Sequence, residues 1–180
     1  ELDRRLAGEA PVRLAIEGGS ASGKTTLGKI LAERYGCTVF HMDDFFLRPE
    51  QRTAARFAEP GGNVDRERFL AEVLLPLRRG EKVFYRRFDC ASMQLQNAVE
   101  TAPKKLVVAE GAYSMHPDLA PYYDLSVFLD ISPELQRERI SRRNTPEKAK
   151  RFFDEWIPME QAYFAAFDIP AKCTLRIPIL

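Results

Sequence analysis

The chain has 180 residues, 45% of them hydrophobic, which suits one domain with a full core. Its 27 basic and 26 acidic side chains leave a net charge of +1, which argues against a general nucleic-acid binder and confines any phosphate site to a local one. No apolar run is long enough to span a bilayer, no signal peptide is read, and the widely spaced Cys37, Cys90 and Cys173 make neither a disulfide framework nor a zinc pattern. No membrane association and a reducing cytoplasm are therefore expected.

In chain order, residues 1–11 read as a short polar helix or arm. Val12–Ile16 is an apolar run that predicts a buried strand, and Lys24–Tyr35 is periodic enough for a helix. Thr38–His41 reads as a second strand. Leu47–Val64 holds Pro49, Pro60, Gly61 and Gly62 without a clear period, and makes most of a long loop over about residues 44–64. Helical patterns follow at Asp65–Arg79, Pro133–Arg143 and Pro146–Phe167, and strand-like runs at Lys82–Tyr85, Leu106–Ala109, Leu125–Leu129 and Cys173–Ile177. Ser132 is placed to cap the helix that Pro133 opens. Pro158 predicts a kink or split near Trp156–Ile157. Strands that alternate with helices imply a parallel sheet covered on both faces, and the unbroken apolar runs Leu106–Ala109 and Ser126–Leu129 suit its centre.

Between the first strand and the first long helix lies Gly18-Gly19-Ser20-Ala21-Ser22-Gly23-Lys24-Thr25, which fits the phosphate-loop pattern G-x-x-x-x-G-K-[ST] at every fixed position. Glycines let successive N–H groups turn inward as an anion nest, and the helix N-terminus adds its positive end. Lys24 can reach β- and γ-phosphates, and the Thr25 hydroxyl can ligate Mg²⁺. A plain Gly/Ser turn between strand and helix is the alternative.

Asp43 and Asp44 directly follow the second strand, at the sheet edge that carries the phosphate loop. Phosphoryl transfer to a hydroxyl needs a group that accepts its proton; Asp43 is the choice and Asp44 the second, against an N-cap or Asx turn. Phe45 and Phe46 could stack on a base, and one of them is expected in the core. Glu110-Gly111 ends the fourth apolar run, where an acid can hold a Mg²⁺ water or a sugar hydroxyl and the glycine lets the chain turn. Arg137, Arg139, Arg142 and Arg143 cluster on one helix and its end, and read either as a lid over a transferring phosphoryl group or as a solvated helix face. Asp65 opens a helix and reads first as its N-cap. The Tyr85–Asp89 segment, with Arg87, reads as an acceptor pocket or a hairpin. His41 and His116 stand alone, without metal-ligand spacing, and the aromatic residues from Phe152 to Phe167 read mainly as core.

The phosphate loop with Thr26, Met42–Phe46, Asn63-Val64-Asp65, Val107–Gly111 and the arginine-rich segment from Arg137 together resemble the uridine kinase family of P-loop kinases, over Val12 to about Phe167. The resemblance implies an α/β chain with a three-layer α/β/α P-loop NTPase fold, a mostly parallel central sheet, and one domain over residues 1–180 with a helical lid at about 137–150. It implies that residues Gly18 to Thr26 bind ATP, with Arg137 beside them, and that Thr25 and Glu110 lie at Mg²⁺. Asp43 would be the base, with Lys24, Arg139 and Arg143 acting on the transferring group. Asp44, Phe46, Asp65, Tyr85, Arg87 and Glu110 would face the acceptor, Asp65 at ribose hydroxyls and Tyr85 at the base. Members that phosphorylate uridine usually carry Asp-Ser-Phe-Tyr where this chain has Asp43-Asp44-Phe45-Phe46, and a histidine shortly after the Tyr85 position where it has Arg87-Phe88-Asp89. The expected activity is ATP- and Mg²⁺-dependent phosphorylation of a primary hydroxyl on a uridine- or cytidine-like nucleoside. Nicotinamide riboside and pantothenate are the other acceptors, and a non-catalytic nucleotide-binding regulatory domain is the rival class. A GTPase would need an Asn-Lys-x-Asp, and the chain has no Asn-Lys pair. The Ile177–Leu180 tail or a free sheet edge could support a homo-oligomer.

Overall fold

A computed structural model describes residues 1–180. Five strands form one parallel sheet: β1 (Val12–Gly18), β2 (Thr38–His41), β5 (Leu106–Glu110), β6 (Leu125–Ile131) and β7 (Leu175–Ile179), in the order β2-β5-β1-β6-β7. β1 is central because the alternate faces of its chain are both apolar. Val12, Leu14 and Ile16 join one buried cluster with Val108, Val127 and Leu31; Ala15 joins the other with Phe40, Val107, Ala109 and Phe128. Every residue of β5 is buried, as its unbroken apolar run requires.

Helices cover both faces. α1 (Leu2–Leu6) and α2 (Lys24–Tyr35) lie on one side through Leu2, Leu6 and Leu31. On the other side lie α4 (Arg66–Phe69) and α5 (Leu75–Arg78), through Phe69 and Leu77, and α8 (Ile157–Phe167) and α9 (Ile169–Lys172), through Tyr163, Phe164 and Ile169. α6 (Pro133–Arg143) and α7 (Pro146–Arg151) make a separate arm with a small cluster of its own, Ile140, Ala149 and Phe152. No helix is long and apolar enough to cross a membrane.

The differences from the sequence reading have local causes. The strand read at Lys82–Tyr85 is β3 (Val83–Asp89). It leaves the parallel sheet and pairs antiparallel with β4 (Gln94–Thr101). β4 is missing from the sequence reading because its residues, mostly polar and exposed, lack a strong apolar alternation. The long loop contains a helix, α3 (Ala54–Ala58), capped by Thr53 accepting the Arg56 N–H at 3.1 Å. The last strand begins at Leu175, two residues later than read. The irregularity expected near Trp156–Ile157 is present as a change of helix type, and Pro158 does not end the helix. A π turn over Phe152–Trp156 lies between α7 and α8 and ends two residues before Pro158; another over Leu70–Leu74 stands in the same relation to Pro76. A proline removes one backbone donor and crowds the carbonyl four residues back. The wider turn absorbs both effects, so the chain continues as a helix.

Candidate active site

The site lies at the carboxyl ends of β1, β2, β5 and β6. Parallel register puts Glu110 beside both Ile16 and His41, and Gly18 beside Leu129. β1 therefore delivers the phosphate loop to the edge where the acids of β2 and β5 end. The loop has positive φ at Gly18 (144°), Ala21 (64°) and Gly23 (101°), the last being the N-cap of α2. A Cβ on Gly18 would stand 2.5 Å from the Leu129 carbonyl oxygen, so the close approach to β6 admits glycine alone.

Lys24 is buried, and its Nζ donates to the carbonyls of Gly18 (2.8 Å) and Gly19 (2.9 Å). Thr25 Oγ1 donates to Glu110 Oε1 at 3.0 Å, and His41 Nδ1 meets the same oxygen at 2.5 Å. That hydrogen bond to Glu110 raises the His41 pKa, with loss of hydration opposing it. The lone histidine of the sequence is thus a partner of Glu110. Gly111 turns the chain at φ 142°, with Met42 against the position a Cβ would take.

Asp43 and Asp44 sit on the 3₁₀ turn Met42–Phe45. The Asp43 carboxyl reaches solvent at the site, but protein on its other sides strips hydration and raises its pKa; Lys24 pulls the other way. Desolvation likewise raises Asp44, whose Oδ2 lies 3.4 Å from Arg87 Nε. Phe45 is fully buried and Phe46 half-buried, bridging to Val64, which divides the pair as expected.

Asp65 is the N-cap first read for it. Its Oδ1 caps α4 by accepting the Arg68 N–H at 3.1 Å. Its buried Oδ2 has no hydrogen bond, with Arg68 Nε at 3.4 Å and Arg48 Nε at 3.6 Å. Arg68 also donates to the carbonyls of Asp44 (3.0 Å) and Arg86 (2.5 Å) and lies over the Phe45 ring, fastening the long loop, the 3₁₀ turn and β3 together. Tyr85 is buried, stacked on Phe45 with centroids 5.7 Å apart and edge-on to Phe40 at 5.3 Å. Its ring belongs to the core. Arg87 lies on β3, within the hairpin.

Of the lid arginines, Arg139 touches the phosphate loop, donating to the Ala21 carbonyl at 3.2 Å. Arg137 lies over the Phe153 ring and Arg143 over the Phe152 ring; neither hydrogen-bonds to the loop, and Thr26 is exposed on the first turn of α2. Three residues that the sequence reading passed over do contact it. Glu17 accepts the Gly18 N–H at 2.8 Å, the Met115 N–H at 3.0 Å and the Tyr163 hydroxyl at 3.1 Å. Complete burial pushes its pKa up to about 7. Glu160 accepts from Ser20, and Gln136 donates to the Ser20 carbonyl at 2.9 Å. Glu17 adjoins the motif and was legible as an acid at the end of a buried strand. Gln136 and Glu160 are over a hundred positions away and carry no local signal.

The protein oxygens at the loop, from Thr25, Glu110 and Asp43, are hard donors, and no cluster of three or more His, Cys, Asp or Glu side chains could hold a metal by itself. This fits Mg²⁺, which keeps several waters and takes its other oxygens from substrate phosphates.

A phosphate loop on the central strand of a parallel sheet, with acids at the ends of the neighbouring strands, defines a P-loop nucleotide-dependent protein. Residues 14–151 match the phosphoribulokinase / uridine kinase family, and the chain belongs to that family. A uridine kinase from Oceanobacillus iheyensis is 23% identical, covering 91% of this chain and 83% of the relative. A dephospho-CoA kinase from Bradyrhizobium diazoefficiens is 28% identical, covering 76% and 73%. Among solved structures, one titled a possible uridine kinase from Bacillus stearothermophilus matches 98% of both chains, with a TM-score of 0.72 at 18% identity, and shares the fold. The protein is a P-loop kinase of this family.

Proposed function

We propose that this kinase transfers the γ-phosphoryl group of ATP to a primary hydroxyl of a small nucleoside-like acceptor, giving a 5′-monophosphate and ADP. The observation that carries the reading is Asp43, a solvent-reachable carboxylate at the sheet edge, in the field of Lys24, with a raised pKa. As the acceptor oxygen forms its bond to the γ-phosphorus, Asp43 takes the hydroxyl proton and the bond to the β-phosphate bridging oxygen breaks. The loop N–H groups, Lys24 and Arg139 would stabilise the charge that spreads over the phosphoryl oxygens, the two side chains leaving their present loop carbonyls to do so. Thr25 and Glu110 would hold Mg²⁺, which neutralises phosphate charge when bound. Asp65, whose Oδ2 lies beside Arg48 and Arg68, would accept from an acceptor hydroxyl. The arm of α6 and α7, residues 137–150, would close as the lid.

A second reading keeps this chemistry and changes the acceptor to a metabolite such as nicotinamide riboside or pantothenate. Tyr85 supports it: a ring held between Phe40 and Phe45 is not free to read a base, and charged Arg87 lies nearby on the same strand. ADP release with Mg²⁺ and ATP, measured against nucleosides, nicotinamide riboside and pantothenate, separates the two. Turnover with uridine or cytidine supports the first; turnover confined to another acceptor supports the second. Nucleotide binding without turnover on any of them would favour a regulatory domain.

A further inference from the structure

The phosphate loop is held from behind by side chains that the motif does not contain. Glu160, on α8, accepts the Ser20 N–H through Oε2 at 2.9 Å and the Ser20 hydroxyl through Oε1 at 2.5 Å. Gln136, on α6, donates to the Ser20 carbonyl at 2.9 Å. Together the two side chains engage the donor and acceptor of one residue, so its peptide groups cannot rotate without losing all three bonds. Glu160 and Gln136 are both about 95% buried, and a Cβ on Gly19 would meet Gln136 Nε2 at 2.8 Å and Glu160 Oε2 at 3.7 Å. The carboxylate therefore lies on the packed side of the loop, and Lys24 turns to the carbonyls of Gly18 and Gly19 instead of pairing with it.

A buried carboxylate is costly unless its partners are fixed. Here the partner is the strand-to-loop turn itself. One helical turn along, Tyr163 of α8 donates to Glu17, which in turn accepts the Gly18 N–H. A single face of α8 thus braces both the start of the loop and its third residue. An anion nest works only if its N–H groups are already aimed, because unaimed amides must be ordered at the expense of binding.

We infer that Glu160 is a positioning residue for nucleotide binding, which presets the phosphate loop through Ser20 and does not itself touch the nucleotide. The inference rests on the kinase reading above, and nucleotide affinity tests it independently of the acceptor. Glu160→Gln keeps size and shape but removes the charge, so the Ser20 N–H and hydroxyl keep only a neutral amide partner. The Kd for Mg²⁺–ATP, by calorimetry, is expected to rise about tenfold, as two charge-assisted hydrogen bonds become neutral ones. Adenosine, which has no phosphates, should bind the variant and parent alike. Ser20→Ala should give a smaller loss, and the double variant should be no worse than Glu160→Gln alone. Backbone ¹⁵N–¹H resonances of residues 20–24 should shift or broaden in Glu160→Gln while those of β5 stay in place.

An unchanged ATP affinity in a folded Glu160→Gln variant overturns the inference, as do equal losses for ATP and adenosine or strict additivity with Ser20→Ala. If Glu160→Gln does not fold, Ser20→Ala still decides: its loss of ATP over adenosine supports the inference and equal binding overturns it. A parent chain that binds no Mg²⁺–ATP removes the kinase reading itself, and this inference with it.

Discussion

In the role proposed for it, Asp43 would serve the chemistry at the expense of stability. Its pKa is raised mainly because burial disfavours the charged form. The folded state therefore binds the proton more tightly than the unfolded chain, and stability contributed at low pH is lost as pH rises from the ordinary carboxyl value of 3.8 through the raised one. At neutral pH the ionised group works against folding. Asp43→Asn is expected to melt at a higher temperature than the parent, while turnover falls by about 10² to 10⁴-fold, the usual worth of a general base. In the parent, kcat/KM should fall at acid pH along a limb above the ordinary Asp range, because the base must be ionised. A variant with lost stability and near-normal turnover would remove Asp43 from this role. Glu17 follows the same sign on a larger scale: burial takes it from 4.5 to about 7, so stability should decline as pH rises across that interval. Glu17→Gln should flatten the decline in urea melts taken at several pH values. At Gly111, φ is 142° and a Cβ would stand 2.6 Å from Met42 Cβ. Gly111→Ala should cost about 1–3 kcal/mol in the same melts, from backbone strain and overpacking.

At the scale of elements, legibility followed the strength of the local pattern. Lys24–Tyr35 and Pro133–Arg143 have the bounds read from sequence, because a glycine or Ser-Pro signal opens each and a break closes it. Ser132 accepts the Leu135 N–H at 3.2 Å. Ser132→Ala should cost about 1 kcal/mol in urea denaturation, as loss of an N-cap does; no change would mean that Pro133 alone fixes the start of α6. The hairpin β3–β4 was half legible. Val83 and Tyr85 announce a strand, but Gln94–Thr101 owes its pairing to β3 and not to its own sequence. The phosphate loop and the two acids after β2 were legible because motif and strand end coincide. The brace of Glu160 and Gln136 was not, because only the tertiary fold brings α6 and α8 to Ser20.

Across the whole molecule, the sheet order explains why the chemistry gathers where it does. Placing β1 between β5 and β6 sets the phosphate loop between Glu110 and the start of α6, so one edge collects Glu110, Asp43 and the arm of α6 and α7. The arm of α6 and α7, the lid of the proposed reaction, is built differently from the rest. Its apolar cluster of Ile140, Ala149 and Phe152 is separate from the two that sandwich the sheet; Gln136 anchors the start of α6 to Ser20, and beyond that anchor Arg139 reaches the loop through a hydrogen bond to Ala21, which also packs on the cluster. An arm with its own small core can move as a body, and weakly attached units open at lower free energy than the parent fold. Adding Mg²⁺–ATP should therefore slow amide exchange over residues 137–150 by a larger factor than in β1 and β5, whose protection already follows global unfolding. Arg139→Ala should remove most of that added protection while leaving exchange in the sheet unchanged. If the nucleotide protects lid and sheet equally, or if Arg139→Ala leaves lid protection intact, the arm is a fixed wall of the site and closure plays no part in phosphoryl transfer.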